Sequence, residues 1–145
     1  MQQESKFEYL SGNVERVTYH NQENGFAVLR VKVKGHKDLV SVIGTVPSIT
    51  PGEDITTKGY WRNDVQYGLG FRAEFIQSIP PTTIEGIEKY LGSGLIKGIG
   101  SHFAKKLVAA FNTDIFDVIE STPIKLKQIN GIGDKRIDKI TKNWQ

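Results

Sequence analysis

The sequence predicts an α+β chain: an N-terminal five-stranded β-barrel followed by an all-α domain. Two observations carry this. Apolar residues recur with period 2 as far as Pro80-Pro81, and with a helical period after it. Five short strand-like runs fit into the first part with no helix between them. That suits a small closed barrel better than a sandwich, which generally takes about seven strands. The expected domains are residues 1–79 and 80–145.

The strand-like runs fall at 7–19, 25–34, 38–46, 53–62 and 67–78. In the second, Ala27, Leu29, Val31 and Val33 alternate with Phe26, Val28, Arg30, Lys32 and Lys34, so one face is apolar and the other partly basic. In the fifth, Leu69, Phe71, Ala73 and Phe75 are expected to form the apolar face in the same way. Turn-forming residues at 20–25, 47–52 and 63–64 separate the runs. The long first strand makes an OB-type barrel the first reading and an SH3-like barrel the second. Alternation turns Trp61 and Ile55 inward, away from the face of Tyr60.

After the two prolines, Thr82 is placed to cap a helix over 83–91, with Glu85 returning a bond to the cap. Gly92-Ser93-Gly94 stops that helix. Asn112 or Thr113 can cap a helix at 114–120, and Thr122-Pro123 is a further cap-then-first-turn pair.

An internal repeat dominates the second part. Gly98-Ile99-Gly100 returns as Gly131-Ile132-Gly133, and at the same offset Ile96 matches Ile129, Lys106 matches Lys139, Leu107 matches Ile140 and Phe111 matches Trp144. Each copy reads as a short helix, a Gly-Ile-Gly turn and an amphipathic helix. In the second copy Ile137, Ile140 and Trp144 form an apolar stripe, and Lys135, Lys139 and Lys142 a basic one. A tight turn between helices demands positive φ, which only glycine adopts cheaply, and Gly100 is expected to adopt it. The following helix then opens with unpaired N–H groups and a favourable dipole, a ready seat for phosphate. Ile99 and Ile132 are expected to point inward.

This pattern resembles paired helix-hairpin-helix motifs, which grip DNA phosphates. The candidate contacts are Gly98, Ile99, Gly100, Ser101, His102, Lys105 and Lys106 in the first copy. In the second they are Gly131, Ile132, Gly133, Lys135, Arg136 and Lys139. Asp134 suits the helix dipole but repels phosphate, so the second copy is expected to bind less well. The alternative is that such turns only cap and pack helices, with the lysines as a solvated face.

Charge points the same way. The net charge is +3, yet residues 1–80 hold nine basic and nine acidic side chains, whereas residues 81–145 hold ten and seven. The excess lies wholly in the helical part. The absence of cysteine excludes disulfide scaffolds, thiolate metal sites and cysteine nucleophiles. The start MQQESKFEYL has no apolar signal region and no run nears the ~20 residues of a membrane span, so a cytoplasmic location is expected.

Catalytic patterns are missing. Gly68 to Ala73 matches a dinucleotide-binding string but sits in a strand pattern with no helix behind it, and no G-x-x-x-x-G-K-[ST] loop occurs. His20, His36 and His102 are scattered. Asp114 and Asp117 are explained by an acidic first helical turn. No catalytic residue, metal or cofactor is expected, and the chain reads as a binding module. On the barrel, Phe26, Tyr60 and Tyr67 with Arg30, Lys32 and Arg62 are candidates for stacking on single-stranded nucleic acid, with ordinary packing as the alternative.

Three segments resemble the N-terminal region of RecD-like DNA helicases, also called exodeoxyribonuclease V alpha-type chains. They are LSGNVERVTYHNQENGFAVLRVKVKG (Leu10 to Gly35), PPTTIEGIEKYLGSGLIKGIGSHFAKKLV (Pro80 to Val108) and INGIGDKRIDKI (Ile129 to Ile140). The resemblance implies an OB barrel with paired hairpins ahead of an ATP-dependent motor that moves 5′→3′ on single-stranded DNA. It implies that this chain is a piece of a longer protein acting in DNA repair or recombination. ATP and Mg2+ would serve only the motor, and the partners would be single-stranded or forked DNA and that motor in cis. The DNA-binding subunit of a Holliday-junction branch-migration complex, which has the same two modules, is the alternative, and a protein-docking module is a third.

Overall fold

A computed structural model of the chain describes residues 6–66 and 68–144. Tyr67 lies outside the described residues. The chain divides into two compact units, Met1–Pro81 and Thr82–Gln145. The last strand of the first ends at Ile79 and the first helix of the second starts at Ile84, so no element runs through the prolines.

The first unit is a closed barrel of β1 (Glu8–His20), β2 (Phe26–Lys32), β3 (Val40–Thr45), β4 (Asp54–Asp64) and β5 (Gly68–Ile79). The strands follow the order β1-β2-β3-β5-β4, and β4 also pairs with β1. All pairs are antiparallel except β3 with β5. This is the OB-type arrangement. Closure depends on β1 serving two neighbours: its first half pairs with β4 and its second with β2, with register shifts after Val14 and Val17 where it bends. Val14, Leu29, Val31, Val42, Ile55 and Phe71 fill the interior, and the Trp61 ring meets the Phe71 ring edge-on at 5.3 Å.

The expected apolar face of β5 needs correction. Phe71 is fully buried, but Leu69 is 66% exposed and Phe75 41%, while Ile76 is buried instead. The cause is a bulge. Lys58 pairs with Phe75 and Gly59 with Ala73, so Glu74 is an extra residue and the alternation changes phase across it. Leu69 lies toward the outer end of the β4–β5 hairpin, opposite Asn63.

The second unit contains α1 (Ile84–Leu91), α2 (Ser101–Phe111), α3 (Ile115–Ser121) and α4 (Asp134–Asn143), with short 3-10 turns at Asn112–Asp114 and Pro123–Gln128. Its core gathers Ile87, Leu91, Leu107, Ile115, Leu126 and Ile140, with Ile99 and Ile132 from the two Gly-Ile-Gly turns. The caps differ from expectation. Thr83, not Thr82, is the N-cap of α1, and its Oγ1 accepts the Gly86 N–H at 3.1 Å. The position that a capping box gives to Glu is therefore Gly86. Neither Asn112 nor Thr113 caps α3; Asn112, at φ 53°, ends α2 instead. Replacing Thr83 by Ala is expected to cost ~1 kcal/mol of stability, and Thr82 by Ala almost nothing. Thermal melts of the two variants check this.

Candidate functional site

The repeat seen in the sequence is also a repeat of backbone geometry. Gly98 and Gly131 have φ 99° and 97°. Gly100 and Gly133 both have φ −111°, with ψ −172° and −171°. The Ile99 N–H donates to the Ile96 carbonyl at 3.2 Å, and the Ile132 N–H to the Ile129 carbonyl at 3.0 Å. Both isoleucines are buried, as their inward role requires. The expectation of positive φ at Gly100 is wrong: the left-handed residue is the first glycine of each turn. The second is extended, a conformation open to any residue.

What the second glycine provides is room. A Cβ on Gly100 or Gly133 would meet nothing within 4 Å. Each of these glycines is the N-cap of a helix and offers no side-chain cap. The first intrahelical bonds come from the amides of Ala104 and Ile137. The amides of Ser101 to Phe103 and of Asp134 to Arg136 precede them and have no intrahelical acceptor. Two helix starts therefore stand open, each with partial positive charge. The first turn of α2 holds no acidic residue.

The cations divide into free and engaged groups. Lys105 and His102 are exposed beside the first turn. Lys106 is half-buried; its Nζ donates to the Asn130 carbonyl at 3.3 Å and lies 5.8 Å from the Phe103 ring centroid. Beside the second turn, Gly131, Gly133, Lys135, Arg136 and Lys139 line an open cavity of about 300 Å³. Lys135 and Lys139 are exposed there. Arg136 is held: its Nη1 donates to the Gly98 carbonyl at 3.0 Å, and its guanidinium sits 4.4 Å from the Phe103 ring centroid. The acidic Asp134 is paired with Lys127 at 2.8 Å, so its charge is partly offset.

Together these contacts form a reciprocal clasp. Arg136 of the second copy holds the first turn, and Lys106 of the first copy holds the residue before the second turn. Phe103 and Arg136 occupy equivalent positions in the repeat, and they stack on each other. Sequence reasoning grouped Arg136 and Lys106 with the free cations and missed Phe103 and Lys127. The two copies differ at most aligned positions, so nothing in the sequence singled out the Phe103–Arg136 pair.

On the barrel, Arg62 and Lys32 are exposed and Arg30 is half-buried, with its Nη1 donating to Ser41 Oγ at 2.6 Å. Tyr60 is half-buried against Phe7, ring centroids 5.4 Å apart, and Phe26 packs near Tyr19 at 6.0 Å. Among the described residues, no three His, Asp or Glu side chains gather as a metal site would need, and no helix is long and apolar enough to cross a membrane.

Residues 7–81 match the family model described as ATP-dependent DNA helicase YrrC, OB-fold domain. The chain belongs to this OB-fold family. The YrrC-type match ends at Pro81, and the two turns lie beyond it. A longer similarity covers them: the ATP-dependent RecD2 DNA helicase of Deinococcus radiodurans is 24% identical over 141 residues, 93% of this chain. The matched part is 19% of that relative, so the chain spans about a fifth of its length. The resemblance to the N-terminal region of RecD-like helicases thus rests on both units.

Proposed function

We propose that the chain is the DNA-holding N-terminal portion of a RecD-like ATP-dependent helicase, itself without catalysis, whose two turns act as helix-hairpin-helix grips on DNA phosphates. The observation that carries this is the duplicated turn, with an uncapped helix start, empty space over the second glycine and free lysines beside it. A phosphate entering there would meet backbone N–H groups, the helix dipole and a mobile cation. Such contacts read charge and spacing, so binding is expected to be nearly independent of sequence. The first turn, with Lys105 and no nearby acid, should be the stronger. Domain limits near residues 80–81, a role in repair or recombination, a cytoplasmic location and the use of ATP and Mg2+ by a following 5′→3′ motor belong to the same proposal.

Two variants test the grip on duplex DNA. Gly100→Val fits the extended backbone but fills the space over the helix start. Its melting temperature should stay near that of wild type while duplex affinity falls several-fold. Lys105→Ala with Lys135→Ala, two lysines outside the clasp, should lower affinity and reduce the log–log salt slope by about 1.8, at roughly 0.9 per phosphate. Fluorescence anisotropy against salt reads both. Wild-type affinity and slope in both variants would make the turns packing devices and favour the docking-module reading.

A further inference from the structure

Among the many differences between the two copies of the repeat, two are linked. Ser101 opens the helix of the first copy, and Asp134 stands in its place in the second. Seven residues earlier the first copy has Gly94 and the second has Lys127. An acid and a base thus enter the second copy together, and the fold joins them. Lys127 Nζ lies 2.8 Å from Asp134 Oδ1, next to Gly133, where α4 starts without a side-chain cap.

The backbone at Lys127 is well anchored. Leu126 before it is fully buried, and the Leu126 carbonyl accepts the Ile129 N–H at 3.0 Å. The 3-10 turn Pro123–Gln128 therefore leads straight into the glycine turn, and only the Lys127 side chain has a choice of direction. The other acid of α4, Asp138, is paired with Lys142 at 3.1 Å. Lys135 and Lys139, which line the cavity at this turn, belong to neither pair. The Lys127 and Asp134 side chains are 47% and 80% exposed, and a pair so wet adds little to stability. Its effect on an arriving anion is larger. Asp134 alone would set a negative charge beside the open amides, and Lys127 offsets that charge at contact distance.

We propose that Lys127 is a positioning residue for the second turn: by holding the Asp134 carboxylate, it lets the start of α4 accept a phosphate. The inference rests on the reading of the turns as phosphate grips, and says how the second can share in the grip despite its acid. The first turn needs no such partner, because Ser101 carries no charge. Lys127 works through Asp134, and not as one more cation laid against the DNA. Its contribution therefore exists only while the acid is present and the second turn is open.

The test is a mutant cycle on the whole 145-residue chain, read by anisotropy of a fluorescein-labelled DNA duplex at low salt. Lys127→Ala is expected to weaken binding about threefold, the size of one unit-charge repulsion across about 6 Å of water. Asp134→Ser, which copies the first turn, should bind like wild type, and so should Lys127→Ala combined with Asp134→Ser. Lys127→Arg should keep wild-type affinity. With the second turn filled by Gly133→Val, Lys127→Ala should change nothing further. Melting temperatures should stay near that of wild type. The proposal is overturned if Lys127→Ala binds like wild type, or if its loss follows a lowered melting temperature. It is equally overturned if the threefold loss persists beside Asp134→Ser or Gly133→Val, as it would for a lysine acting by its own charge. If Gly133→Val binds like wild type while Gly100→Val binds weakly, the second turn takes no phosphate and this inference falls alone. If neither glycine variant weakens binding, the reading of the turns as grips falls with it.

Discussion

Gly59→Ala is expected to cost the barrel about 3–4 kcal/mol, the upper end for a single added methyl group. Gly59 lies on β4 opposite Ala73, at the bulge where β5 carries Glu74 as an extra residue. A Cβ there would fall on the Arg72 carbonyl, which is backbone, with Ala73 Cα 2.9 Å away. No side chain can swing aside. Either the β4–β5 ladder opens or the bulge shifts, and both disturb Trp61 and Phe71 just beyond it. Domains of this size are typically stable by only 5–15 kcal/mol, so the loss should be large in a urea titration. Tryptophan emission followed in a Trp144→Phe background would report on Trp61 alone. An unchanged midpoint would mean that the close approach of Gly59 to β5 is not required.

The second large effect is expected at the first turn. Gly98→Ala puts a side chain at φ 99° and brings its Cβ to 3.0 Å from Ile140 Cγ1, a fully buried side chain of α4. Left-handed strain costs ~1–2 kcal/mol, and displacing Ile140 adds to it, for about 2–3 kcal/mol in all. Gly100→Ala, extended and facing open space, should be close to neutral. Thermal melting monitored at Trp144, which packs against Phe116 at 5.1 Å, compares the two. Equal melting temperatures would remove the distinction between the glycines of each turn.

That distinction shows where sequence reading stops. The duplicated Gly-Ile-Gly was plain from the chain, but which glycine bends and which clears space was not. Both facts depend on φ and on neighbours brought from the other copy. The barrel strands were legible because alternation of Ala27, Leu29 and Val31 needs no partner to be seen. The face of β5 was misjudged because a bulge is a property of two strands, and nothing in Leu69 to Phe75 announces Glu74 as extra. Thr82 and Thr83 are equally good caps, and only the helix start chooses between them.

The clasp between the two turns has a consequence for handling the molecule in solution. Its bonds run from Arg136 and Lys106 to carbonyl oxygens, and both cations also lie over the Phe103 ring. None of these acceptors is an ion, so dissolved electrolyte weakens them far less than it weakens attraction to a polyanion. The two jaws therefore keep a fixed gap under conditions that strip away whatever they hold. Release and re-engagement need no remodelling of the jaws, and a chain rinsed in strong brine should be ready to bind again on dilution.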